Sequence, residues 1–198
     1  MGKLTFKALN GGTKQIDDAT LAELRAGVRG RVLDAASPDF DTVRAIWNAM
    51  IDRKPALIVQ CSGAADVAQV VRFARDHDLL VAIRGGGHNI AGNATCDGGL
   101  LIDLSGMKSV RVDPAARRAW VGPGATLADL DHETQAFGLA VPTGINSTTG
   151  IAGLTLGGGF GWITRKYGLT IDSLLSADVV MADGTQVRAS ATENPDLF

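Results

Sequence analysis

Residues 55–89 read PALIVQCSGAADVAQVVRFARDHDLLVAIRGGGHN, and the order of patterns within them decides the fold. Pro55 opens a short β-branched run, ALIVQ. Ala64 to Arg75 then places Val67, Val70, Val71 and Ala74 at helical steps, and LLVAIR closes the unit as a second run. Strand, helix and strand in this order form a βαβ unit, with the apolar side of the helix laid on a sheet. The second strand ends directly on three glycines.

Toward the N-terminus, the segment to about Asn10 shows no clear period and reads as a loose end. Asp17 to Ala35 reads as one helix, because Leu21, Leu24, Val28 and Val32 recur at steps of three and four after an acidic start. A second helix is predicted over Asp39 to Met50, with Val43, Ile46, Trp47 and Met50 on one face and Pro38 near its start. Toward the C-terminus three strands are expected, GLLIDL, SVRVD and RAWVG, the last two joined at Asp113-Pro114. A helix from Thr126 to Phe137, a Gly/Thr/Ser-rich stretch from Val141 to Gly161, and a hairpin turning at Asp183-Gly184 complete the chain. The fold class is therefore α+β, with a composition shift near residue 104. Two closely packed subdomains fit that shift.

Composition narrows the functions. The 198 residues are 45% hydrophobic, enough for a core. The 19 basic and 21 acidic residues are scattered, with a formal charge of −2, which leaves no basic face for nucleic acid or anionic lipid. No stretch reaches the roughly 18 apolar residues of a spanning helix. Met1 to Gln15 lacks the basic start and apolar middle of a signal peptide, so a cytoplasmic protein is expected. Cys61 and Cys96 show neither CxxC spacing nor histidine company, and are read as reduced, structural thiols with no metal site.

Glycine is the outlier, 25 residues against a usual share of about 7%. The first cluster is Arg84-Gly85-Gly86-Gly87-His88-Asn89. Consecutive glycines let the main chain approach a ligand closely and turn successive N–H groups into one concavity, for which phosphate is the natural guest. A plain turn at a strand end is the alternative. The second cluster, Gly157-Gly158-Gly159-Phe160-Gly161, is reached through Gly150 and Gly153. Neither matches a dinucleotide fingerprint or a P-loop, which disfavours an NAD domain. Two such loops in a small domain suit a pyrophosphate held from both sides. His88 follows the first loop directly, whereas His77 and His132 fall on predicted helices and read as structural.

Four motifs carry a resemblance: RGGGHNIAG at 84–92, CDGGLLIDLSGM at 96–107, VGPGATLADLD at 121–131 and GIAGLTLGGGFGWITRKYGLTID at 150–172. Together they resemble the berberine-bridge-enzyme-like group of FAD-linked oxidases, within the vanillyl-alcohol-oxidase superfamily, from about Val32 to the end of the chain. The resemblance implies a PCMH-type FAD-binding domain of two α/β subdomains, 32–104 and an incomplete 105–198, after an N-terminal extension with a helix at 1–31, the whole truncated before the substrate domain. FAD would extend between the subdomains. Arg84, Gly85, Gly86, Gly87 and His88 would cradle the pyrophosphate, flanked by Asn89 and Gly92. Gly153, Gly157, Gly158, Gly159 and Gly161 would meet it from the other side, and Val179 would contact the adenine. Thr143, Gly144, Asn146, Ser147 and Gly150 belong to the segment where many relatives attach flavin a second time, through a cysteine. Asn146 stands at that cysteine's place and cannot form a thioether, so attachment through His88 alone is implied, at the 8α carbon.

The implied reaction is hydride removal from a carbon bearing OH or amine, in an alcohol, sugar or amine, with dioxygen giving hydrogen peroxide. A dehydrogenase using another acceptor and a non-catalytic flavin-binding fragment are the alternatives. The substrate-side base, often a tyrosine in the family, is expected beyond Phe198. Tyr167 reads as structural, with Arg165 and Lys166 on the surface or near phosphate.

Overall fold

The computed structural model describes residues 2–198. The chain runs β1 (Lys3–Lys7), β2 (Thr13–Asp17), α1 (Asp18–Gly27), β3 (Arg31–Leu33), α2 (Phe40–Arg44), β4 (Leu57–Gln60), α3 (Ala64–Asp76) and β5 (Val81–Arg84). It continues through β6 (Leu100–Asp103), β7 (Val110–Asp113), β8 (Arg118–Val121), α4 (Leu127–Gln135), α5 (Ile151–Leu156), α6 (Thr164–Tyr167), a 3-10 turn at Ile171–Ser173, β9 (Ser176–Val180) and β10 (Gln186–Ser190). The α+β class follows directly.

The sheet that carries the site has the order β3-β4-β6-β5. β4 and β5 both run parallel to β6, which inserts between them, so the βαβ unit is a split one. β3 closes the far edge antiparallel to β4. Every residue of β6 is buried, the expected state of a central parallel strand covered on both faces. Alternation then divides the core. Leu57, Val59, Leu100 and Ile102 face α1, α3 and the first hairpin, while Ile58, Leu101, Ala82 and Leu33 face Phe40. A third core of Ala125, Leu127, Leu130 and Ile151 joins α4 to α5 and draws in Val110 and Val121 from the β7–β8 hairpin. α4 begins with a capping box in which Thr126 and Asp129 satisfy each other's amides.

Three expectations are corrected. Residues 3–10 are no loose end: β1 and β2 pair antiparallel with Leu4 opposite Ile16, and Phe6 is fully buried beside Leu57 and Leu100. Its period of two is short and carries few apolar residues, which hid it. The helix expected over Asp17 to Ala35 ends at Gly27, and Arg31–Leu33 is the edge strand instead. A side chain at Gly30 would collide with the Gln60 carbonyl, so the chain passes too close to β4 for helix there. The helix expected to Met50 stops at Arg44. At its carboxyl end the carbonyls of Val43 and Ala45 accept from Arg84 Nη1 at 2.6 and 3.2 Å, and the Trp47 amide donates to the Gly87 carbonyl at 3.2 Å. The Gly/Thr/Ser-rich stretch also contains α5, a helix despite Gly153.

Both cysteines are free and buried. Burial pushes their thiols up, Cys61 to about 12 and Cys96 to about 11, which makes them poor nucleophiles.

Candidate functional site

The glycine loop leaves the carboxyl end of β5, where open α/β sheets present ligands. Its base is fastened by Arg84. The guanidinium donates to Asp103 through Nε at 3.2 Å and Nη2 at 2.7 Å, and to the Val43 and Ala45 carbonyls at the end of α2. The Asp103 side chain is fully buried and also accepts from Gln60 at 3.1 Å. Burial opposes its ionisation, but the bonds and charge of Arg84 outweigh burial and hold the carboxyl below its ordinary value. Arg84 is thus an anchor, its charged head turned into the core rather than toward a phosphate.

Above that anchor the main chain is unspent. Among the described residues, the amides of Gly85, Gly86, Gly87, His88 and Asn89 make no hydrogen bond within the chain. Gly87 has φ +73, a conformation that glycine adopts without strain. The loop borders a cleft of about 380 Å³, whose other walls include Trp47, Lys108, Gly124 and Thr126. A run of free donors with a glycine at positive φ is the geometry of an anion nest.

The second segment reaches the first at Gly150. A Cβ there would lie 2.8 Å from Gly86 Cα, and one on Gly86 would lie 2.6 Å from Gly150 Cα, so the two backbones touch without side chains between them. Beside this contact, His88 Nε2 lies 3.0 Å from Thr148 Oγ1, and Nδ1 lies 3.4 Å from Thr149 Oγ1. Trp47 stacks on the imidazole, centroids 5.0 Å apart and planes 21° from parallel. Partial burial lowers the His88 pKa from its ordinary 6.5, which favours the neutral ring at pH 7.

Other residues singled out by sequence stand apart. The amides of Gly157 and Gly158 are spent on the carboxyl end of α5, on Gly153, Leu154 and Thr155 carbonyls, and the Gly161 amide donates to Thr164 Oγ1 at 2.9 Å. Those three offer no second nest. Gly161 is instead needed where its backbone meets the Thr143 carbonyl, and Gly144 where Leu154 and Leu127 press on it. Asn89 and Gly92 close a turn on themselves, with the Asn89 carbonyl accepting from the Gly92 amide. Ser147 receives the Ala128 amide. Val179 sits on the β9–β10 hairpin, whose turn is held by Arg72 and Arg75 of α3 at 3.0 Å each, and does not line the cleft. Gly153 is exposed, and a Cβ on it would meet nothing within 4 Å.

A second cleft of about 330 Å³ lies beside Arg29, Arg31 and Ser62. Its amides are already spent: Asp66 takes the N–H groups of Arg29, Gly30 and Ser62 at 2.9–3.0 Å. Trp47, Lys108, Thr148 and Thr149 were missed by sequence reasoning. The threonines adjoin Asn146 and could have been weighed with it. Trp47 was hidden by the overlong helix, and Lys108 has no local signal.

The loop, the histidine and the contact between the two glycine segments together make an anion nest with an imidazole beside it. Residues 55–190 match the family model described as FAD binding domain, and the chain belongs to that family. It is 42% identical over 171 residues to (R)-6-hydroxynicotine oxidase of Paenarthrobacter nicotinovorans, covering 86% of this chain and 37% of that protein. The crystal structure of 6-hydroxy-D-nicotine oxidase from Arthrobacter nicotinovorans superposes with a TM-score of 0.84 over 86% of this chain and 38% of that one. The BBE-like 1 protein of Physcomitrella patens gives 0.84 at 33% identity over 90% and 39%, and the carbohydrate oxidase of Microdochium nivale 0.83 at 32% over 90% and 38%. The chain thus spans less than two fifths of the length of these relatives. Among the described residues, no helix is long and apolar enough to cross a membrane, and no three His, Cys, Asp or Glu are grouped to hold a metal.

Proposed function

We propose that this chain is the flavin-holding part of a cytoplasmic oxidase that removes hydride from a carbon bearing a hydroxyl or amine in a small molecule, with dioxygen as acceptor. FAD is held through one covalent bond, to His88. The observation that carries this reading is the run of unspent amides from Gly85 to Asn89 with a neutral imidazole inside it. Those amides suit the diphosphate, and Lys108, half-exposed and only loosely paired with Asp129 at 3.8 Å, is the accessible cation at the cleft, since Arg84 is buried against Asp103. FAD would supply the electron acceptor for the hydride, and a covalent bond would keep it in place and tune its potential. His88 serves attachment, with its ring plane set by Trp47. Asn146 supports single attachment, because an amide forms no thioether. Gly161 acts in this reading by letting the backbone pass closely over the Thr143 carbonyl, and Val179 stays a candidate adenine contact through its main chain.

The test is the mass of the purified chain: one FAD increment that survives denaturation, absent in His88→Ala. A holo-competent chain that keeps the increment without His88 would overturn the linkage. A flavin-holding chain without turnover of its own is the second reading, favoured by the exposed Phe160 and Trp162. It predicts a bound flavin but no peroxide from sugars and amines, with peroxide appearing only in a longer polypeptide.

A further inference from the structure

Asn146 does more in this structure than fail to be a cysteine. Its Oδ1 accepts from the Thr148 amide at 3.1 Å and from Thr148 Oγ1 at 2.9 Å. The backbone N–H can only donate, so the side-chain atom facing it is the amide oxygen, and the orientation of the Asn146 amide is settled. That oxygen cannot donate in turn, so the single hydroxyl proton of Thr148 is committed to Asn146. Toward His88 Nε2, 3.0 Å away, the Thr148 oxygen then has lone pairs alone to offer. Nε2 must carry the ring proton. Nδ1 keeps its electron pair and meets Thr149 Oγ1 at 3.4 Å, a long contact that is easily exchanged for another partner.

We infer that Asn146, acting through Thr148, is a positioning residue that holds the His88 imidazole protonated at Nε2 and leaves the free electron pair on Nδ1. Trp47 fixes the ring plane by stacking, and the Asn146–Thr148 pair fixes which edge is protonated. The purpose of the relay rests on the attachment reading above: a neutral ring nitrogen with a free pair is the one able to bond to carbon, and the relay decides which of the two it is.

The test is long-range ¹H–¹⁵N correlation of the labelled chain at pH 7.5 before any flavin is added, with the three histidines assigned through His77→Gln and His132→Gln. His88 should show the Nε2-protonated form, and Thr148→Ser should retain it. Thr148→Val and Asn146→Ala should each lower the tautomer ratio about fivefold, the worth of one hydrogen bond. Asn146→Asp keeps the acceptor, so it should preserve the tautomer and raise the His88 pKa, which guards against a variant that merely fails to fold. A ring protonated at Nδ1 in the parent chain, or a ratio unmoved by both Thr148→Val and Asn146→Ala, overturns the relay. Flavin uptake is read on the same samples by mass. A chain with the expected tautomer that never gains flavin sinks the attachment reading and leaves the relay standing; a flavin-binding chain with the opposite tautomer sinks the relay alone.

Discussion

At the scale of single residues, two kinds of glycine have different causes. Gly86 and Gly150 are required by the chain itself, because a Cβ on either would strike the other's backbone. Gly86→Ala should therefore cost about 1–3 kcal/mol of stability, as overpacking does, read as a lower melting temperature. Gly153 is the opposite case. It lies within α5 with open space around it, where glycine is about 0.5–1 kcal/mol worse than alanine. Nothing among the described residues explains it, whereas the proposed reading of Gly153 as a cofactor contact would. Gly153→Ala should keep or raise the melting temperature while lowering FAD uptake; equal uptake would remove Gly153 from the site. His88 adds a titration at this scale. Its folded pKa is depressed, so the folded chain binds fewer protons, and its contribution is complete above pH 6.5 and is lost as pH falls through the folded value.

At the scale of elements, the Arg84–Asp103 pair decides where the site stands. It links β5 to β6 and, through two carbonyls, pulls the segment after α2 onto the loop, placing Trp47 against His88. Arg84→Ala leaves a carboxylate buried without its partner and should cost about 3–5 kcal/mol, with the Trp47 fluorescence altered. The acid side follows from the sign of the shift. Because Asp103 is held below its usual 3.8, the pair stabilises fully above that value and is lost as pH falls through the folded pKa. Asp103→Asn should flatten the acid limb of a denaturation series; an unchanged limb would assign acid unfolding to other carboxylates. The same pair explains one failure of sequence reasoning. Val43, Ile46 and Trp47 have helical spacing, yet the chain leaves the helix because its carbonyls are taken by an arginine about 40 residues away.

At the scale of the whole molecule, three cores account for most buried apolar side chains, but the region from Ile145 to Leu175 does not follow the rule. Leu156 is 77% exposed, Phe160 75% and Trp162 85%. Large apolar side chains this exposed and this close along the chain make the region a candidate contact surface. An environment-sensitive apolar dye should bind the 198-residue chain, and Phe160→Ser with Trp162→Ser should reduce that binding without lowering the melting temperature. Dye binding unchanged by the pair would place the sticky surface elsewhere. The region also includes the glycine loop that sequence pairs with the first one across a diphosphate. Its amides at 157, 158 and 161 are spent locally, and contact with the first loop is made earlier, at Gly150.

The pattern of residues alone determined the βαβ unit, the later hairpins, the α+β class, the glycine loop after β5 and the family, because each rests on neighbours within a few turns of chain or on a motif kept in order. Tertiary structure alone decided that β6 enters between β4 and β5, that the first residues are a hairpin, and that two predicted helices stop short. It also decided that Arg84 anchors the loop and that Thr148 and Trp47 hold His88. Each of these depends on partners that are distant along the chain, and backbone close approach and buried hydrogen bonds outweigh local helical preference, which is worth only tenths of a kcal/mol per residue, about 0.7 at most for ordinary side chains.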